Sequence, residues 1–152
     1  MKQTTLLFLR RDDQILLAMK KRGFGVGKWN GAGGKVEEGE TITEAAIREC
    51  QEEIGVTPNK LIPAGEFHFI DLPDVEHYCN IFVVHDWTGD PVESEEMRPQ
   101  WFHKDEIPYD EMWADDKHWM PLLLESKQFK GKVVINEDGT IRQCDLAEVA
   151  EL

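Results

Sequence analysis

Cysteine is scarce. Cys50, Cys79 and Cys144 are odd in number, far apart and without a CxxC pair, which excludes a disulfide framework and leaves no zinc-ligand spacing. Long hydrophobic runs are missing too. The apolar stretch Thr4–Leu9 gives way at once to the polar "RRDD", too short to span a bilayer and without a signal-cleavage pattern, so a reducing cytoplasm and no membrane association are expected. Positive charge is in short supply, with 17 Lys and Arg against 30 Asp and Glu and a formal net charge of −13. That balance disfavours a nucleic acid polymer as partner and favours a small anion carried with a metal ion. Repeats and linker-like tracts are also absent. The 152 residues are expected to form one α/β domain, 1–152, monomeric by default and large enough to bury roughly 70% of the surface of its unfolded chain.

Local patterns then order the chain. Thr4–Leu9 and Gln14–Met19 read as strands of an opening hairpin. Lys20–Lys35 is glycine-rich, basic and aromatic, a loop with at most a short strand near Trp29–Ala32. Thr41 and Glu44 match the S/T-x-x-E capping box, so a helix should run from Ile42 to Ile54 and stop at Gly55. Strands are expected at Gly65–Asp71, His77–Trp87 and Gln100–His103, followed by a second helix within Trp113–Phe129. A closing hairpin should turn at Asp138-Gly139, a dipeptide that favours a type I′ turn. The sum is a mixed sheet between helices.

The first helix carries the chemistry. "RECQEEIG", Arg48–Gly55, places Glu49, Glu52 and Glu53 on one edge: with Glu49 at zero, Glu52 falls at about 300° and Glu53 at about 40° on the helical wheel. Ala46, Cys50, Ile54 and Ile47 form the adjacent apolar face. Like charges at this spacing repel by a few tenths of a kcal/mol per pair, so either solvent screens them or a cation sits between them. A solvated face is the ordinary outcome for such a pattern alone.

Gly34, Glu40, Arg48, Glu49, Cys50, Glu52, Glu53, Gly55 and Val56 decide otherwise, because together they resemble the Nudix box, G-x5-E-x7-R-E-U-x-E-E-x-G-U, with U a bulky apolar residue. Cys50 is a small apolar departure at the first U. The resemblance implies a Nudix fold, α/β (α+β) in class, with a mixed curved β-sheet sandwiched between helices, and hydrolysis of nucleoside diphosphates linked to another group. It also implies Mg²⁺, for which Mn²⁺ can substitute, held by Glu49, Glu52 and Glu53, with the carbonyl of Gly33 and, from outside the box, Glu96 as further ligands. Oxygen donors suit such a hard cation. Arg48 and Glu40 would orient the glutamates, and Glu53 or Glu52, or else Glu96, would serve as the base.

"MKKRGFGVGKWNGAGGKVEEGET", "PVESEEMRPQWF" and "MWADDKHWMPLLL" resemble more narrowly the animal-type oxidised purine nucleoside triphosphatases, the MutT homologues. That likeness implies a small-molecule nucleoside triphosphate as partner. Asn30, Asp115 and Asp116 would meet the base edge, Trp113 would stack on the purine, and Phe24, Phe69 and Trp119 would line the pocket. Thr5 and Lys20 would contact the nucleoside, with Gly33, Gly34 and Lys35 also in the substrate site. Two neighbouring carboxyls in an aromatic pocket resist double ionisation, so one of Asp115 and Asp116 is expected to act as a protonated donor. Alternatives remain at this level: another Nudix substrate such as ADP-ribose, a dinucleotide polyphosphate or an RNA 5′ end, or a non-catalytic nucleotide-binding module.

Overall fold

The structure, a computed structural model, describes residues 2–152. Its first two strands, β1 (Gln3–Arg11) and β2 (Gln14–Lys20), are joined by Asp12 and Asp13 but pair with each other only at Arg10↔Ile15 and Arg11↔Gln14. Beyond those pairs they part. β2 continues beside β3 (Trp29–Asn30) and β9 (Met97–His103), while β1 is flanked by β4 (Ala32–Lys35) and, in parallel, by β7 (Val75–Val84). β7 pairs antiparallel with β6 (Ile62–Asp71), to which β10 (Gln128–Ile135) runs parallel, and β11 (Ile141–Val149) closes the edge. The sheet is therefore mixed, and the splay of the first hairpin opens a cleft in it.

Helices cover both faces. Along β1 and β2 successive side chains alternate between them, as pleating requires. Leu7, Leu9, Leu16 and Ala18 pack with Ala46, Cys50 and Ile54 of α1 (Ile42–Ile54). Phe8, Ile15 and Leu17 pack with Trp119, Met120 and Leu123 of α2 (Asp116–Leu124). Double coverage is why these strands read as unbroken apolar runs. It is the sandwiched mixed sheet that the sequence implies.

α1 begins and ends at the expected residues. Thr41 Oγ1 accepts from the Glu44 amide at 3.1 Å, and Glu44 Oε1 accepts from the Thr41 amide at 2.9 Å, closing the capping box. Gly55, at φ 71°, ends the helix with its N–H on the Gln51 carbonyl.

Other boundaries differ from expectation. β7 starts at Val75 and stops at Val84; Trp87 belongs instead to a short strand, β8 (Trp87–Thr88), paired with β5 (Thr57–Pro58). β9 starts at Met97, because pairing with Lys20 at the end of β2 extends it past Pro99. α2 ends at Leu124, and Phe129 is already in β10. The closing turn is not type I′: Gly139 has φ 86° but Asp138 does not share the left-handed region. The Asn136 amide donates to the Thr140 carbonyl and the Gly139 amide to the Asn136 carbonyl, the three-residue loop that uses glycine only at its last position.

Thr41→Ala removes the cap bond and should cost about 1 kcal/mol, lowering the melting temperature by about 2–4 °C for a domain of this size. Thermal unfolding followed by circular dichroism measures it, and an unchanged midpoint would contradict the role given to the capping box.

Candidate active site

Strand β4 brings backbone against the acidic helix. Leu6 faces Gly33 and Thr5 faces Gly34 across the β1–β4 ladder. A Cβ at Gly33 would stand 1.9 Å from the Thr5 carbonyl oxygen, and one at Gly34 would stand 2.6 Å from Oε1 of Glu49. At Gly33 the neighbour is backbone and no side chain fits; at Gly34 one would push the Glu49 carboxylate from its place. The bare strand lets the Gly33 N–H donate to Oε1 of Glu53 at 2.8 Å.

Glu53 is buried, with 5% of its surface exposed. Burial pushes its pKa up to about 7; the Gly33 N–H and Lys20 pull it down, while the charges of Glu49 and Glu96 push it further up. Glu49 is also raised, first by burial, against the pull of Arg48. Arg48 organises the rest of this edge. Its Nε donates to Oε2 of Glu40 at 2.7 Å and its Nη2 to Oε1 of Glu40 at 3.0 Å, a bidentate pair. Its Nη1 donates to Glu49 at 2.9 Å and to Glu52 at 3.3 Å, and Nη2 also reaches the Lys35 carbonyl at 3.1 Å. The guanidinium holds the Glu40 carboxyl down to about 2.

The carboxylates are thus close but separately tethered. Glu49 and Glu52 are tied to Arg48, Glu53 to Gly33, and Glu96 to Lys20 at 3.1 Å and Arg22 at 2.8 Å. Among the described residues no three acidic, His or Cys side chains form a ready-made metal cage. The donor set nonetheless fits a hard divalent cation: it is all oxygen, and Glu53 and Glu49 are desolvated and mutually repelling, strain that a positive ion would relieve.

Beside Glu53 opens a cavity of about 280 Å³. Its far wall holds Asp115 and Asp116, both buried. Oδ2 of Asp115 accepts from the indole N–H of Trp119 at 2.8 Å, and Oδ2 of Asp116 accepts from the Trp113 amide at 3.1 Å. Burial raises both carboxyls; Asp116 lies well above the carboxylate range because the Asp115 charge adds to its desolvation. Over the mouth, exposed Phe24 stacks on Trp113 with centroids 5.1 Å apart, and the Lys28 ammonium lies 5.2 Å from the Trp113 ring centre. Thr5 lines the cavity with a buried hydroxyl that has no hydrogen-bond partner among the described residues, a loss of about 1–3 kcal/mol unless a ligand supplies one.

Of the residues singled out from the sequence, Thr5, Lys20, Phe24, Asn30, Gly33, Gly34, Glu53, Phe69, Trp113, Asp115, Asp116 and Trp119 line this one cavity. Lys35 does not. It is exposed at the end of β4, opposite Thr4 in the ladder, and its carbonyl accepts from Arg48. Glu49, Glu52 and Glu96 also lie outside the lining, their carboxylates engaged by Arg48, Lys20 and Arg22. Asn30 combines both expectations, lining the cavity while its Oδ1 accepts from the Gly31 amide at 2.9 Å. Sequence reasoning missed Lys28, Asp71 and His77. Alternation from Phe69 could have placed Asp71 on the inner face, whereas His77 reaches it only through the β6–β7 register.

The raised pKa of Glu53 makes stability depend on pH. Between about 4.5 and about 7 the folded protein holds a proton that the unfolded chain releases, so stability falls as pH rises through that window and the cost is fully present above it. Replacing Glu53 by Gln should remove on the order of 2 kcal/mol of that loss. In chelator-treated protein unfolded with urea at pH 5 and pH 8, E53Q should show the shallower decline and be the more stable form at pH 8. Parallel declines would contradict the assignment.

Known proteins resemble this chain in sequence and fold. The NUDIX domain model matches residues 2–123. An oxidized purine nucleoside triphosphate hydrolase of Mus musculus is 46% identical over 95% of this chain and 94% of its own. One of Danio rerio is 47% identical over 99% and 97%. The crystal structure of a MutT protein from Bacillus halodurans superposes with a TM-score of 0.86 at 28% identity, covering 96% of this chain and 97% of that one. The matched span contains the glycine strand, the acidic helix and most of the cavity wall, and the chain belongs to the Nudix family.

Proposed function

We propose that the protein hydrolyses oxidised purine nucleoside triphosphates, of the 8-oxo-dGTP and 2-hydroxy-dATP kind, to the monophosphate and pyrophosphate, and so clears damaged nucleotides from the precursor pool. One observation carries the reading: a single cavity runs from the desolvated carboxyl of Glu53 to an aromatic wall bearing Asp115 and Asp116. The first end suits phosphates and the second a purine. The relatives from mouse and zebrafish, which bear the name of this activity over nearly the whole chain, support it.

Mg²⁺, or Mn²⁺ in its place, would be held by Glu49, Glu52, Glu53, Glu96 and the Gly33 carbonyl, and when bound supplies charge neutralisation for the phosphate oxygens and a lowered pKa for water. Glu53 is the general base of the proposal. Burial holds its carboxyl up to about 7 in the metal-free protein; a bound cation would draw it down and keep the carboxylate ionised, able to accept a proton from water. Arg48 keeps Glu49 and Glu52 facing the phosphates, and Lys20, between Glu96 and the cavity, adds positive charge for the triphosphate.

At the other end Trp113 stacks on the base with Phe24 behind it, and Asn30 and the aspartates read its edge. Asp116, raised further than an isolated carboxyl, holds a proton and donates; Asp115, already accepting from Trp119, keeps acceptor capacity. A carboxyl pair that can both donate and accept matches the different edges of oxidised guanine and oxidised adenine. The unpartnered Thr5 hydroxyl is available to the nucleoside.

Purified protein with Mg²⁺ should release pyrophosphate, not phosphate, from oxidised purine triphosphates, and E53Q should lower kcat by about 10²-fold or more. Asp115→Asn and Asp116→Asn should each change the ratio of rates among 8-oxo-dGTP, 2-hydroxy-dATP and dGTP. Cleavage of ADP-ribose alone, or unaltered ratios in both aspartate variants, would overturn the reading.

A further inference from the structure

The proposed function leaves the cavity-lining Asp71 and His77 without a role. Asp71 and His77 project from β6 and β7 onto the face that carries Phe69, an inner face that is otherwise largely apolar. Phe69 and His77 are cross-strand partners, stacked at 5.2 Å with rings inclined by 17°. The imidazole is pinned at its other side as well, since Nδ1 lies 2.9 Å from Oγ1 of Thr4. The Thr4 hydroxyl also lies 3.3 Å from the Tyr78 carbonyl, which can only accept; both contacts are hydrogen bonds together only when Thr4 accepts from Nδ1–H, and that tautomer is part of the proposal below. In it Nε2 carries the lone pair.

That lone pair lies 4.0 Å from Oδ2 of Asp71, too far for a direct hydrogen bond. Burial lowers the pKa of His77, and Lys2 and His68 lower it further against the opposing charge of Asp71, so a neutral ring facing an acceptor is the resting arrangement. In that tautomer two acceptors face each other across a 4.0 Å gap among the residues that line the cavity. One nitrogen about 2.9 Å from each would satisfy both at ordinary hydrogen-bond lengths. Asp71 also lies within electrostatic reach of Asp115, which places the gap beside the carboxyls already assigned to the base edge.

We propose that Nε2 of His77 and Oδ2 of Asp71 form a two-acceptor subsite for an exocyclic amine of the purine, making His77 and Asp71 specificity-determining residues. The inference rests on the purine-binding reading above and deepens it. An amine offers one N–H to each acceptor, whereas a purine lacking it leaves both facing each other with nothing between. Such a site discriminates because the wrong ligand leaves its polar groups unpaired.

Binding of 8-oxo-dGMP and 8-oxo-dIMP, which differ only in the 2-amino group, tests this by calorimetry in chelator-treated protein, free of any metal or turnover effect. The parent should bind the amine-bearing nucleotide about 10-fold more tightly, the worth of one to two hydrogen bonds. His77→Phe keeps the stack on Phe69 but removes Nε2, and Asp71→Leu removes the second acceptor; in each the preference should shrink to within about twofold, through weaker binding of 8-oxo-dGMP. His77→Gln, which returns an acceptor near the position of Nε2, should recover part of it. Melting curves confirm that each variant is folded, and two variants on different strands keep the test alive should one not be. No preference in the parent, or an unchanged preference in the folded variants, overturns the subsite alone. Failure of the parent to bind either nucleotide overturns the purine reading and the subsite with it.

Discussion

The closeness of β4 to its neighbours is the constraint on which the site depends. No side chain fits at Gly33, where the Thr5 carbonyl occupies the space a Cβ would need, and one at Gly34 would displace the Glu49 carboxyl. A bare strand at that place brings a backbone N–H to Glu53 and allows α1 to lie with its acidic edge against the sheet. The edge would be costly if left alone. Arg48 offsets part of the repulsion by holding Glu40, Glu49 and Glu52 on one guanidinium, and the remainder is stored as desolvation at Glu53 and Glu49. In the proposed metal site, the unfavourable term stored in this way would become affinity for a cation.

The splay of β1 from β2 is the second half of the design. Because the two strands pair only at their shared turn, β4 and β3 enter between them, and the cavity forms where they part. One end of that cavity is the acidic edge. The other is built by residues far away in sequence: Trp113, Asp115 and Asp116 before and at the start of α2, and Phe69, Asp71 and His77 from the β6–β7 hairpin. In the proposed reading the sheet holds phosphate chemistry at one end and base recognition at the other. Variation at the second end can change which base is accepted without disturbing the first.

Legibility in the sequence follows the range of the interactions concerned. α1 could be read to the residue since its cap, its apolar stripe and its terminal glycine are all local, and the Nudix box is a fixed spacing along one element. The strands were visible as apolar runs, but their ends were not. Trp87 leaves β7 for the pairing of β8 with β5, and Met97 joins β9 because β2 extends to Lys20; both choices belong to partners distant in the chain. The same holds at the site. Glu96 was recognisable as an acid, yet its ion pairs with Lys20 and Arg22 depend on how the glycine-rich loop folds back. Lys35 sat between box residues in the sequence, but the strand turns its side chain outward and its carbonyl accepts from Arg48.

The account turns on the acidic edge of α1 being where a divalent cation binds. Crystals soaked with Mn²⁺ and measured for anomalous scattering test this directly. The account predicts anomalous density within coordination distance of the Glu49 and Glu53 carboxylates and the Gly33 carbonyl, absent from E53Q crystals soaked alike. Density found instead only at the Asp115–Asp116 pair, with the edge of α1 bare, would contradict it.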